Sequence, residues 1–275
     1  MTAPCKHLRF GLTIAALAAL GTLSACTTAP TAGTTGTLGK APGIVIIPVP
    51  VPTPTPTMPD AHTTRDSVDW PGYYTGTIPC ASCEGIQVWL NLTEAGKNTR
   101  YSLVENYLGK KGRAFNSSGN AAWRANGSVI DLKGKDENRA LFIGENFAEF
   151  LPEGQNRATG QSNYTLHKQD NFTAQNWQLL VDPRHIRVER KNGVNFVRFP
   201  ALLNSKKVEQ GGHRSLTASY VINCAKKQYD MPTVKYYAQP FATGALIYQS
   251  NRNGGNWLPT KNDGVLRQAA EQYCR

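Results

Sequence analysis

The sequence has little of what an enzyme or a metal centre needs. Only 5 histidines and 3 methionines occur in 275 residues, and the histidines form no paired motif of the kind that binds catalytic zinc. There is no nucleophile elbow and no glycine loop that could cradle a phosphate. Met58 and Met231 lie far apart, so no methionine-rich copper cluster is formed. These absences predict a protein that is not an enzyme.

Long hydrophobic runs are also absent. The longest apolar stretch, residues 10–20, is too short for a stable membrane span. Lys6 and Arg9 precede it and Leu23-Ser24-Ala25-Cys26 follows it, which is the pattern of a bacterial lipoprotein signal. The sequence therefore predicts a signal peptide over 1–25 and acylation of Cys26; the alternative is an ordinary secretory signal that ends near a cysteine.

The predicted lipid would hold the chain on a membrane through a long spacer. Thr27, rather than an aspartate, follows Cys26, which favours sorting to the outer membrane. Two or three acyl chains on one residue suffice for stable anchoring. Residues 26–65 are rich in Thr and Pro and favour an extended path, so we expect a lipidated cysteine followed by a tether.

The 6 cysteines divide into three groups. Cys5 lies in the signal peptide and Cys26 carries the lipid. An even number then remains for an oxidising compartment: Cys80, Cys83, Cys224 and Cys274. Three pairings are possible, and we favour Cys80 with Cys83 and Cys224 with Cys274, because each pair then falls in its own domain.

A turn with two cysteines is the most informative local feature. Residues 72–86 read GYYTGTIPCASCEGI. After them Ile86, Val88, Leu90 and Leu92 alternate with Gln87, Trp89 and Asn91, a pattern that predicts a half-buried strand. A thioredoxin-type pair opens a helix, whose dipole lowers the thiol pKa. Cys80 and Cys83 instead lie between strands, which argues against an oxidoreductase site.

This stretch resembles the N-terminal domain of the NlpE family, bacterial envelope lipoproteins linked to copper tolerance and surface stress signalling. The resemblance extends to residues 101–109, to 119–123 and to the closing strand SNYTLHK at 162–168. It implies a small antiparallel, lipocalin-like β-barrel over 66–170, with the cysteine turn near one rim. It also implies signalling to the Cpx envelope-stress kinase as a partner.

The second half of the folded region, 171–275, reads as an α+β domain of antiparallel strands with one C-terminal helix. Asn262 or Asp263 is the expected cap of that helix, and Leu266, Ala269, Ala270 and Tyr273 would form its apolar stripe. Strand character falls in six segments: 177–181, 185–190, 194–203, 215–224, 234–237 and 245–248. The sequence thus predicts a mainly β protein of two domains.

Tyr220 to Ala225, then Trp257, then a helix ending in Tyr273-Cys274 resembles the surface-adhesin E family. Some members of that family bind host matrix and complement-regulating proteins, which implies surface interaction. The positive charge fits such a role: 171–275 holds 15 basic and 6 acidic residues, a net charge of +9, against −1 over 66–170. Such a surface attracts acidic host or envelope ligands, although it also serves solubility. Nucleic acid is not expected as a partner outside the cytoplasm.

Copper is the one cofactor with a chemical argument. Thiolates are soft ligands that select Cu(I), so reduced Cys80 and Cys83 could hold one ion. An oxidising periplasm favours the disulfide instead. Two functions stay open: an outer-membrane lipoprotein in envelope stress sensing, copper tolerance or surface interaction, and a periplasmic copper-binding or redox-handling protein.

Overall fold

The computed structural model describes residues 63–110, 114–135, 138–160 and 162–275. It contains two helices, α1 (Thr64–Ser67) and α2 (Gly264–Tyr273). The strands of the first domain are β1 (Gly72–Ile78), β2 (Gly85–Ala95), β3 (Asn98–Leu108), β4 (Ala114–Trp123), β5 (Val129–Lys133), β6 (Ala140–Gly144), β7 (Phe147–Leu151) and β8 (Thr165–Lys168). Those of the second are β9 (Asp170–Ala174), β10 (Trp177–Val181), β11 (Arg187–Lys191), β12 (Val194–Ser205), β13 (Ser215–Asn223), β14 (Gln228–Gln239), β15 (Thr243–Asn251) and β16 (Leu258–Pro259).

Strands β1 to β8 form a closed antiparallel barrel in sequence order. Closure is made by β8 against β1, where His167 pairs with Thr75 and Lys168 with Tyr74. This is the lipocalin-like barrel that the first resemblance implied, and residues 165–168 are its closing strand.

Alternating side chains of β2 fill the barrel interior. Val88, Leu90 and Leu92 are fully buried in one cluster with Tyr74 and Leu103, as the alternation predicts. Trp70 closes one end: its ring meets Trp123 edge to face at 5.3 Å, and its carbonyl accepts a 2.5 Å hydrogen bond from the Tyr74 hydroxyl. The barrel interior is therefore a packed core.

The second domain is one antiparallel sheet in the order β9-β10-β12-β13-β14-β15, with β11 paired to β12 and β16 to β14. All six predicted strand segments are present; 177–181 has the predicted bounds, and the other five have shifted ends. The prediction began a strand at His185, but Pro183–His185 is a 3-10 turn in which the Asp182 carboxylate accepts from the Arg184 amide, so β11 begins at Arg187. Strands β9 and β16 were not predicted.

Helix α2 packs across one face of this sheet. The Asp263 carboxylate accepts hydrogen bonds from the amides of Val265 and Leu266, so Asp263, rather than Asn262, is the cap. Leu266 and Ala269 are fully buried as expected, and the unpredicted Val265 joins them. None of the helices in the parts of the chain that the structure describes is long and apolar enough to cross a bilayer.

Candidate functional site

The cysteine turn joins β1 to β2 at the rim of the barrel. It occupies 79–84, and its ends are fixed by the ladder that pairs Ile78 with Ile86. Gly85 ends the turn at a φ of +152°, where an added Cβ would lie 2.8 Å from Cγ2 of Thr77. Only glycine meets both conditions, so the turn geometry is built into the sequence.

Cys80 and Cys83 form a disulfide in this turn, with their Cα atoms 5.3 Å apart. Both cysteines are half-buried, while the intervening Ala81 and Ser82 are exposed. The bridge closes a loop so short that the chain-entropy model gives it only about 2 kcal/mol. Neither cysteine belongs to the core of the barrel. The disulfide can therefore open without removing any side chain from that core.

The donor set at the turn restricts which metal it could hold. Within the described residues, no group of three or more His, Cys, Asp or Glu side chains is placed to bind a metal ion. The disulfide offers no thiolate, so two sulfur donors exist only after reduction. Two thiolates suit Cu(I), a soft ion that accepts low coordination. The turn thus fits copper in its reduced form alone.

The described histidines are dispersed. His167 lies on β8, and burial lowers its pKa below 6.5, with nearby Arg184 lowering it further. His185 lies 3.4 Å from the Asp182 carboxylate on the surface. His213 contacts the rings of Trp177 and Tyr236. These neighbours leave each histidine in a packing or surface role. His62, Met58 and the predicted lipidation site Cys26 lie outside the described residues.

Sequence reasoning missed the surface by which the barrel contacts the second domain. Trp89 lies on the face of β2 that points away from the barrel core, yet it is buried against Leu180 and Leu202. The ring of Phe241 lies 5.8 Å from that of Trp89. Alternation marks this position as outward-facing, and only the size of the indole hints that something covers it.

The second disulfide joins Cys224, just after β13, to Cys274 at the end of α2. Together with the Cys80–Cys83 bridge, it gives the pairing that the sequence analysis favoured. The Tyr273 hydroxyl beside it donates a 2.6 Å hydrogen bond to the Asp170 carboxylate, and burial raises the pKa of Tyr273 well above 10. The last turn of α2 is thus fastened to two strands of the sheet, to β13 through the disulfide and to β9 through Asp170, which is a structural arrangement.

Comparison with known proteins agrees with both resemblances. The family model of the NlpE N-terminal domain matches residues 74–161, and that of surface-adhesin protein E matches residues 156–275. No curated protein matches the chain.

Two solved structures are similar to parts of the chain. A predicted lipoprotein from Shewanella oneidensis is 41% identical over 38% of this chain and 94% of its own, with a TM-score of 0.34. The Cpx pathway activator NlpE from Escherichia coli is 18% identical over 69% of this chain and 96% of its own, with a TM-score of 0.28.

Proposed function

We propose that the chain is a non-enzymatic envelope lipoprotein that senses redox or copper stress at its cysteine turn, because residues 74–161 match the family model of the NlpE N-terminal domain and residues 156–275 match that of surface-adhesin protein E. The observation that carries the proposal is the position of the Cys80–Cys83 disulfide, on a partly exposed turn outside the barrel core.

The turn can change state while the barrel stays folded. A dithiol reductant would transfer two electrons to the disulfide, giving two thiols and becoming a disulfide itself. The ladder between β1 and β2 is made by backbone groups outside the turn, and Gly85 has its own favourable conformation for ending the turn. Reduction would therefore alter a local surface, which is what a partner protein could read.

Copper would bind to the reduced form of the turn. The reduced pair supplies two soft donors, and binding of Cu(I) would displace their two protons. Cys80 and Cys83 would be the residues that hold the ion. Copper tolerance and stress signalling would then share one structural element.

Anchoring completes the proposed function. Acylation of Cys26 would place the protein on the outer membrane, and residues 27–65 would hold the folded domains away from the lipid. Partners would be an envelope-stress sensor kinase for the cysteine turn and acidic envelope or host ligands for the basic second domain. The excess positive charge of that domain, +9 over 171–275, favours this second role.

The test compares three forms of the full chain. The protein reduced at Cys80–Cys83 under mild conditions that leave the Cys224–Cys274 bridge intact should bind Cu(I) at one equivalent in competition with a Cu(I) chelator, and the oxidised protein and the identically treated C80S/C83S variant should not. The matched control is Ser82→Ala, which alters the same turn but keeps both sulfur atoms. In cells, C80S/C83S should abolish the response of an envelope-stress reporter to copper, while S82A keeps it. Equal copper binding by C80S/C83S and by the reduced protein would refute the proposal.

A further inference from the structure

A basic groove lies in the second domain, on the side of α2 that carries the Cys224–Cys274 bridge. It has a volume of about 680 Å³ and lies between the β13–β14 turn, the 3-10 turn before α2 and the helix itself. Four cationic side chains line it: Lys226, Lys227, Lys261 and Arg267. They come from three separate segments, so the groove exists only in the folded domain.

Hydrogen bonds fix the turn that carries two of these lysines. The amide of Lys226 donates to the Asn223 side chain at 3.1 Å, and the carbonyl of Lys227 accepts from the amide and hydroxyl of Thr260 at 2.9 and 3.0 Å. Lys227 has a φ of +50°, a left-handed conformation that normally favours glycine or asparagine. A lysine is thus held where a smaller residue would relieve strain, and the groove is preorganised by its contacts with Thr260.

The charge in the groove is not neutralised. None of the four cations forms an ion pair with any residue of the described ranges. Glu271 is the one acidic side chain among the lining residues. Four like charges in one groove repel each other and raise the local concentration of anions. A ligand with more than one negative charge would reduce this repulsion most effectively.

Part of the groove's lining is apolar. Ile222, Pro259, Ala270 and the Cys224–Cys274 bridge line it together with the four cations. A lining that combines apolar groups with a few charged ones is typical of small-ligand sites, and so is a volume of this size. The ligand should therefore present anionic groups on a compact body such as a sugar ring.

We propose that this groove binds a compact ligand carrying phosphomonoester groups, such as a phosphorylated sugar. The Arg267 guanidinium matches a phosphate with two parallel hydrogen bonds, and the lysines act as point charges on the remaining oxygens. The phosphates could belong to a glycolipid headgroup or to a soluble sugar phosphate. The site does not involve the cysteine turn, so this proposal can be tested independently of the proposed sensing function.

The test uses the full chain and two probes. Calorimetric titration measures the affinity for a soluble glucosamine bisphosphate, and co-sedimentation measures binding to vesicles with and without a bisphosphorylated glucosamine lipid. The variant K226Q/K227Q should weaken both by about tenfold, since each exposed contact contributes a few-fold. The matched control K206Q/K207Q removes the same charge from a pair outside the groove and should keep wild-type affinity. Binding should also fall as salt rises from about 0.05 to 0.5 M.

A second variant separates a lost site from a lost fold. Arg267 is exposed on α2, so R267Q should keep the β-rich circular dichroism and the Cys224–Cys274 bridge while losing affinity several-fold. Vesicle binding that requires the bisphosphorylated lipid, with no binding of the soluble bisphosphate, would assign the ligand to a lipid headgroup, and binding of both would assign it to the phosphorylated sugar itself. Equal losses in K206Q/K207Q and K226Q/K227Q, or equally tight binding of polyglutamate, would overturn the proposal.

Discussion

Replacing both Cys224 and Cys274 by serine should destabilise the protein more than any change at the cysteine turn. The bridge spans 50 residues and ties the end of α2 to the end of β13. In the double variant the helix would still be held by Val265, Leu266 and Ala269, which are buried against the sheet. We therefore expect a folded but weakened second domain.

The magnitude follows from the length of the closed loop. For a separation of 50 residues, the chain-entropy model gives about 4 kcal/mol of lost stability, against about 2 kcal/mol for the Cys80–Cys83 loop. For a folded region of this size, the corresponding falls in Tm are about 8–16 °C and about 4–8 °C.

The assay is thermal unfolding of C224S/C274S and of C80S/C83S beside the wild-type protein, followed by circular dichroism and by scanning calorimetry. Non-reducing peptide mapping of the wild type should link the peptide of Cys224 to that of Cys274. Equal falls in Tm for the two double variants would refute the loop-length reasoning. A linkage of Cys80 to either C-terminal cysteine would refute the pairing itself.

Three further outcomes follow from named contacts. Burial lowers the pKa of His167 below 6.5, so as the pH falls the unfolded chain binds this proton before the folded protein does. The free energy of unfolding should therefore fall as the pH drops below about 6.5, and in urea titrations the H167Q variant should not show this pH dependence. Asp263→Ala removes the cap of α2 and should cost about 1 kcal/mol, with Asp263→Asn, which keeps the accepting oxygen, close to wild type in chemical denaturation. Trp89→Ala should lower the free energy of unfolding by about 3–5 kcal/mol and split a shared unfolding transition into two. Trp89→Phe should lower it far less, since within the described residues the indole nitrogen makes no hydrogen bond. A single unchanged transition in W89A would contradict the packing of Trp89 against Leu180 and Leu202.

The fold was largely predictable because its signals are local. The alternation from Ile86 to Leu92 is a property of neighbouring residues, and so is the Asp263 cap, and the structure has both. Strand β9 was missed because Phe172 is the only buried apolar residue in it. Strand β16 is too short for any periodic signal.

The parts of the candidate sites that the sequence did not predict depend on contacts between residues far apart in the chain. The groove brings Lys226 and Lys227 to Lys261 and Arg267 only through folding of the sheet; along the sequence these residues look like ordinary surface cations. The same reason explains Trp89: periodicity reports that its side chain points outward but cannot report that Leu180 and Leu202 cover it. The cysteine turn, by contrast, is contiguous, and the sequence located it directly.

The junction between the two domains determines how they would respond to a pulling force. A single residue, Gln169, separates β8 from β9, and its amide donates to the Tyr73 carbonyl at 2.8 Å. The chain therefore enters and leaves the barrel at adjacent points, near Gly72 and Lys168. Lys168 also bonds Asp69, just before β1, through an ion pair of 2.9 Å.

Tension between the residues before β1 and the second domain would be borne at this junction, by the Lys168–Asp69 contact and the first bonds between β1 and β8. The cysteine turn lies at the other end of β1, about 20 Å away at 3.3 Å per residue. It would therefore lie off the direct path through this junction while the second domain is held by a ligand. The packing of Trp89 against Leu180 and Leu202 offers force a second route into the barrel, so the cysteine turn would carry less load than the junction.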